Sequence, residues 1–152
     1  MEISNNCVLL LKYYEGCKLN AYKCSAGIWT IGYGSTFFED GRPVKQGDSV
    51  TQAQAEEILP LILKKFAQAV FAKTAKMEQY EFDALVCFTY NVGIRAFEGS
   101  TLLKKIRKEL SPTDIAAEFH KWNKANGKVL KGLVRRRAAE AYLYEYGRVK
   151  IF

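Results

Sequence analysis

At 152 residues and 17.3 kDa the chain fits one domain and buries roughly two-thirds of its unfolded surface, so folding requires no metal or disulfide framework. Its 49% hydrophobic and 26% charged residues, with three prolines, exclude a disordered chain. A formal charge of +7 and a pI near 9.2 point to a polyanionic partner, and charge by itself does not choose between nucleic acid, anionic lipid and an acidic cell-wall polymer.

In chain order, Cys7, Leu10, Leu11 and Tyr14 recur on one helical face, with Ser4 as the cap candidate and Gly16 as the stop. Glu15 then projects from the last turn. From Cys17 to Asp48, short apolar runs are broken by Gly27, Gly32, Gly34, Gly41, Pro43 and Gly47, the pattern of a small antiparallel sheet and the one β-rich part expected. Thr51 and Gln54 form a capping box that opens a long helix to about Ala72, on the order of 30 Å, with a kink or break expected at Pro60.

Everything later reads helical. Tyr80, Ala84, Cys87 and Phe88 share a face that ends at Asn91-Val92-Gly93, and Leu102, Leu103, Ile106 and Leu110 form the next. Ser111-Pro112-Thr113-Asp114 is a strong helix start, backed by Ile115, Phe119 and Trp122. Asn126-Gly127 marks a turn, and a last helix runs from about Gly132 to Tyr146. Arg135-Arg136-Arg137 is expected on the open face of that helix, His120 on the surface of its own, and Trp122 as a core anchor.

Cys7, Cys17, Cys24 and Cys87 lack zinc-ligand spacing, so no metal site is expected. Val8-Leu9-Leu10-Leu11 is too short for a secretory signal, and no run approaches the roughly 20 apolar residues of a membrane span.

The chemistry concentrates near the start. Glycosidic cleavage needs one group to protonate the leaving oxygen and another to direct water or a nucleophile at the sugar, usually from two carboxyl groups. Glu15 supplies the first, with apolar neighbours such as Tyr14 and Trp29 to favour a held proton. Cys24 stands where a second carboxylate is expected, followed by Thr30 and Ile31-Gly32-Tyr33-Gly34. A thiol with pKa near 8.5 is mostly neutral at pH 7. Cys24 therefore has four readings: a thiolate favoured by a positive neighbour such as Lys23, a nucleophile, a polar group orienting water, or a half-buried structural cysteine.

The spacing from Glu15 to Cys24 to Thr30 resembles the catalytic signature of the phage-type lysozymes, the endolysins of glycoside hydrolase family 24, where these positions hold Glu, Asp or Cys, and Thr. The resemblance continues through Phe88-Thr89-Tyr90-Asn91-Val92-Gly93, Phe97-Glu98-Gly99-Ser100-Thr101, Phe119-His120-Lys121-Trp122 and Gly132-Leu133-Val134-Arg135-Arg136-Arg137. It implies an α+β fold, mostly helical, in one domain: a small N-terminal antiparallel β lobe (about 15–50) joined by a connecting helix (about 51–72) to a helical lobe (about 73–152 plus the N-terminal helix 4–14).

It also implies hydrolysis of the β-1,4 bond between N-acetylmuramic acid and N-acetylglucosamine in peptidoglycan, with Glu15 as general acid, Cys24 in the place usually held by Asp, and Thr30 helping to hold the attacking water. Tyr33, Thr36, Tyr90, Asn91 and Ser100 resemble cleft-lining, substrate-binding positions, and Ser35 departs from the His common there. A Cys17–Cys24 disulfide would gate the site by oxidation. No cofactor, metal or nucleic acid is expected. The protein is read as a monomer held in the host cytoplasm until release to the periplasm and cell wall, without stable membrane insertion. The alternatives are lytic-transglycosylase cleavage, a basic non-catalytic cell-wall-binding module, and a secreted antibacterial effector.

Overall fold

The computed structural model describes Met1–Phe152. Helix α1 spans Asn5–Glu15, strands β1 Lys18–Lys23 and β2 Trp29–Gly32, and helix α2 Gln52–Lys73. There follow α3 Gln79–Val92, α4 Ile94–Glu98, α5 Thr101–Arg107, α6 Pro112–Phe119, a hairpin of β3 Lys124–Ala125 and β4 Lys128–Val129, and α7 Lys131–Tyr146. This is the α+β composition expected, helices with a two-stranded antiparallel sheet. The chain divides into a sheet unit, Leu11–Lys65, and a helical unit, Met1–Leu10 with Phe66–Phe152.

In the sheet unit β1 and β2 pair antiparallel, Tyr22 opposite Thr30 and Lys23 opposite Trp29. An isolated bridge from Asn20 to Ser49 ties the following loop back to the ribbon, and one from Phe37 to Pro43 closes that loop on itself. The Thr51 capping box forms: Gln54 N–H donates to the Thr51 hydroxyl (3.1 Å) and Thr51 N–H to the Gln54 amide oxygen (2.8 Å). Pro60 does not break α2, which runs 22 residues without interruption. Ala55, Leu59 and Leu63 recur every fourth position and are buried, so packing of that stripe outweighs the one lost donor.

The helical unit is organised on α3, whose residues from Phe82 to Thr89 are all buried. A helix enclosed on every side carries apolar residues all round rather than on one stripe. α7 packs against both α3 and α6, and an aromatic chain runs through the core: Phe88 meets Phe119 (5.2 Å) and Trp122 (5.5 Å), and Phe119 meets Tyr144 (5.6 Å). Trp122 is half-buried and packs edge-on against the core ring of Phe88, and His120 is exposed. Ser4 caps α1 through Asn6 N–H (3.2 Å) and binds the buried Asp83 carboxylate, which also takes Gln79 Nε2 (3.0 Å). Ser111 and Pro112 start α6 as read, with the Ser111 hydroxyl accepting from Asp114 N–H (3.2 Å).

Three expectations are corrected. Arg136 and Arg137 are buried rather than on an open face, because both converge on Glu140, itself fully buried, at 3.2 and 2.7 Å. Helix α5 stops at Arg107, with Glu109 at φ +55°, and this leaves Leu110 outside it and exposed. Residues 124–129 add a second β element, since Asn126 and Gly127 both take positive φ (51° and 76°), the geometry that turns a two-residue hairpin.

α7 ends at Gly147, φ +67°, whose N–H donates to the Leu143 carbonyl (2.9 Å). A Cβ there would stand 3.1 Å from the Tyr80 ring.

Candidate active site

Glu15 is the final residue of α1. Gly16 then takes φ +64° with its N–H on the Lys12 carbonyl (3.1 Å), turning the chain directly into β1. One turn back, Lys12 pairs with Glu56 of α2, and Glu56 Oε1 accepts from the Tyr33 hydroxyl (2.6 Å) and Gln52 Nε2 (3.0 Å). The end of α1, the start of α2 and the turn after β2 are thereby pinned to one another around a single carboxylate. Its one ion pair, Lys12 with Glu56, is partly solvated, so rigidity rather than stability is what it supplies.

Cys24 sits where β1 becomes a tight turn. Its N–H donates to the Ile28 carbonyl (3.0 Å), and Gly27 N–H donates to the Cys24 carbonyl (2.8 Å). Hydrogen bonds from the backbone N–H of Ile28, then of Ala26, lower the thiol from its ordinary value; burial opposes them, and the Thr30 hydroxyl and the residue's own amide add to them. Donors aimed at a sulfur favour its anion. Lys23, expected to do this, is instead placed over the Trp29 ring at 5.4 Å.

Thr30 is buried, and its hydroxyl donates to the Ile28 carbonyl (2.9 Å). That hydroxyl has one proton, so it serves Ile28 or the sulfur in turn, while the two backbone donors are permanent. Tyr22, which the sequence reading did not single out, lies within the electrostatic reach of both acids: burial raises its phenol most, then the charges of Glu15 and Cys24. The signal for it was available, since it precedes Cys24 by two and so shares its face of the strand.

Glu15, Cys24, Thr30, Tyr33 and Thr36 belong to the sheet unit, and Tyr90, Asn91 and Ser100 to the helical unit. Two of the substrate-binding expectations are corrected. Tyr33 is 6% exposed and its hydroxyl is committed to Glu56 and Gln52 (2.9 Å). Ser100 is 3% exposed and caps α5, donating to the Phe97 carbonyl (2.6 Å) and accepting from Leu103 N–H (3.1 Å). Thr36 and Tyr90 are half-buried, the latter edge-on to Phe66 at 5.0 Å, and Asn91 is exposed.

The redox pairing is also corrected. Cys17 and Cys24 flank opposite ends of the six-residue strand β1. Even with the irregularity between Lys18 and Tyr22, a strand rising about 3.3 Å per residue separates them by well over the roughly 7 Å between Cα atoms that a disulfide needs, and both thiols are free. The thiols that do meet are Cys7 and Cys87, both buried, with sulfurs 3.5 Å apart; all four cysteines are free. A cavity of about 280 Å³, lined by Phe38, Arg42, Gln54 and Glu57 among others, includes none of the candidate catalytic residues.

The family model described as phage lysozyme matches residues 12–140. The endolysin of Acyrthosiphon pisum secondary endosymbiont phage 1 is 40% identical over 150 residues, covering 95% of this chain and 99% of the relative. The endolysin of Bacillus phage PZA is also 40% identical, over 99% of this chain, which spans 57% of that longer protein. Among solved structures, the endolysin from Escherichia coli O157:H7 phage FAHEc1 superposes with a TM-score of 0.88 at 39% identity, covering 99% of this chain and 97% of that one.

Proposed function

This chain belongs to the phage lysozyme family, and from that membership we propose that Glu15, Cys24 and Thr30 are the residues with which it cleaves its substrate. It is a glycoside hydrolase of the endolysin type, a muramidase that opens the β-1,4 bond between N-acetylmuramic acid and N-acetylglucosamine in peptidoglycan and so lyses a bacterial cell. Neither transglycosylase cleavage nor a non-catalytic wall-binding role is favoured by relatives named endolysin.

In the proposed reaction Glu15 gives its proton to the glycosidic oxygen as the bond from that oxygen to the anomeric carbon breaks. A water accepted by the Thr30 hydroxyl oxygen bonds to the anomeric carbon and gives its proton to the Cys24 thiolate. The cycle closes when one proton passes through solvent from the thiol to the Glu15 carboxylate. The observation that supports this reading is that Cys24 N–H (3.0 Å) and the Thr30 hydroxyl (2.9 Å) both donate to the Ile28 carbonyl, which sets the two residues side by side at the turn. The protein is read as a monomer acting on peptidoglycan without nucleic acid, staged in the host cytoplasm and then delivered to the periplasm and cell wall. No helix is long and apolar enough to cross a membrane.

The test is clearing of purified peptidoglycan by Glu15→Gln, Cys24→Ser and Cys24→Asp. Glu15→Gln is expected to lose about 10²–10⁴-fold in rate. In the wild type, clearing rises with pH as the thiolate forms, along a limb centred below the ordinary thiol value. Cys24→Asp keeps clearing and moves that limb to about pH 4, and Cys24→Ser loses it. Undiminished clearing by Glu15→Gln would overturn the mechanism, and undiminished clearing by Cys24→Ser would reduce the thiol to a spacer.

A further inference from the structure

The helical unit is made of two stretches of chain, Met1–Leu10 and Phe66–Phe152, and the whole sheet unit is inserted between them. Two side-chain rungs join the short stretch to the long one. In the first, the Ser4 N–H (3.0 Å) and hydroxyl both donate to the buried Asp83 carboxylate. In the second, the Cys87 thiol donates to the Cys7 carbonyl (3.4 Å) and its sulfur lies 3.5 Å from the Cys7 sulfur. Cys7 follows Ser4 by three and Cys87 follows Asp83 by four, so each pair shares one helical face and the polar rung sets the register of the thiol rung. Cys7 is 0% exposed and Cys87 1%. A disulfide is about 2.05 Å long, so the two sulfurs need to approach by only roughly 1.5 Å to bond.

We propose that Cys7 and Cys87 are a cross-linking site: exchange with a low-molecular-weight disulfide such as oxidised glutathione joins them, and the bond makes the two stretches of the helical unit covalently continuous. The Cys7 thiol loses its proton to solvent, its sulfur attacks oxidised glutathione, and one glutathione thiolate leaves. The Cys87 thiol then loses its proton, its sulfur attacks the Cys7 sulfur of the mixed disulfide, and the second glutathione thiolate leaves. Two protein thiols are oxidised and one molecule of oxidised glutathione is reduced to two of the thiol. In the folded protein both sulfurs are closed to solvent, and burial holds the Cys87 thiol well above its ordinary range, so a thiolate is scarce there. Exchange therefore runs in the open chain, and the bond is kept as the two stretches come together. The loop it closes spans eighty positions and contains Leu11–Lys65, with Glu15, Cys24 and Thr30 inside it. Closing a loop of that length removes much of the freedom of the unfolded chain, which is where such a bond stabilises most.

The experiment refolds the full chain from denaturant in a buffer of oxidised and reduced glutathione, in parallel with refolding in dithiothreitol. Linkage is read by peptide mass spectrometry after free thiols are blocked with iodoacetamide, and stability by thermal melting. A Cys7–Cys87 linked peptide is expected in most of the oxidised molecules, with a melting temperature about 5–15 °C above that of the reduced chain. Cys7→Ala keeps a small apolar side chain and is expected to melt at the same temperature in both buffers, which separates the cross-link from glutathione carried on Cys17 or Cys24. Refolded protein with Cys7 and Cys87 unlinked overturns the proposal, as does a linked chain that melts no higher than the reduced one. If oxidised refolding gives aggregate, the native protein is held instead in the glutathione buffer with partly denaturing urea, and the same two readings decide. Neither reading depends on turnover, so this outcome is distinct from that of the catalytic assignment, which Glu15→Gln decides on its own.

Discussion

Cys24 and Cys87 are the same side chain placed in two regions that treat it in opposite ways. In the sheet unit, hydrogen bonds from backbone N–H groups of a tight turn lower the Cys24 thiol from its ordinary value and favour its anion. In the helical unit, burial first and Cys7 second push the Cys87 thiol well above its ordinary range. The units differ in charge as well: sixteen Lys/Arg against ten Asp/Glu in the helical unit, a formal +6, and seven against six in the sheet unit, +1. The donors that favour the Cys24 anion lie at a short, half-buried ribbon, whereas most of the net positive charge lies in the helical unit.

The largest expected effect tests the thiol contrast. Under native conditions iodoacetamide should label Cys24 while Cys7 and Cys87 react only through global unfolding, a protection of roughly 10³–10⁸ set by the unfolding equilibrium. Equal labelling of Cys24 and Cys87 in the folded protein would collapse the comparison. Next in size, Glu140→Ala strips the buried anion from Arg136 and Arg137 and should cost about 3–5 kcal/mol in a denaturant melt. Cys24 alkylation of the folded fraction should not change, and a joint loss would show that the two regions are not separable. Smallest is Ser100→Ala, expected to cost about 1 kcal/mol as a lost cap and to leave KM alone. A raised KM at unchanged stability would return Ser100 to the substrate.

What was legible in the sequence was local. The caps at Thr51 and Ser111 form as read because their partners lie three residues away. The grouping of Glu15, Cys24 and Thr30 in one unit followed from their spacing around a short ribbon. The misreadings are long-range. Nothing in the spacing of Cys7 and Cys87 announces that they touch, since eighty positions separate them, whereas the seven between Cys17 and Cys24 looked close only until a strand extended between them. The arginine run read as solvated because a helical pattern does not show that α3 and α6 both pack on α7, or that Glu140 lies within reach at the third and fourth positions. Tyr33 and Ser100 were hydroxyls whose partners only the fold brings to them.

Gly147 has a consequence for the paths open to mutation. Its left-handed backbone disfavours L side chains, and the Tyr80 ring stands 3.1 Å from where a Cβ would go. Shrinking Tyr80 relieves the crowding but not the backbone, and a change at 147 made first meets both. Of this pair, then, Tyr80 is the freer to vary first, whereas a side chain at 147 needs both a left-handed backbone and a small shift of the Tyr80 ring.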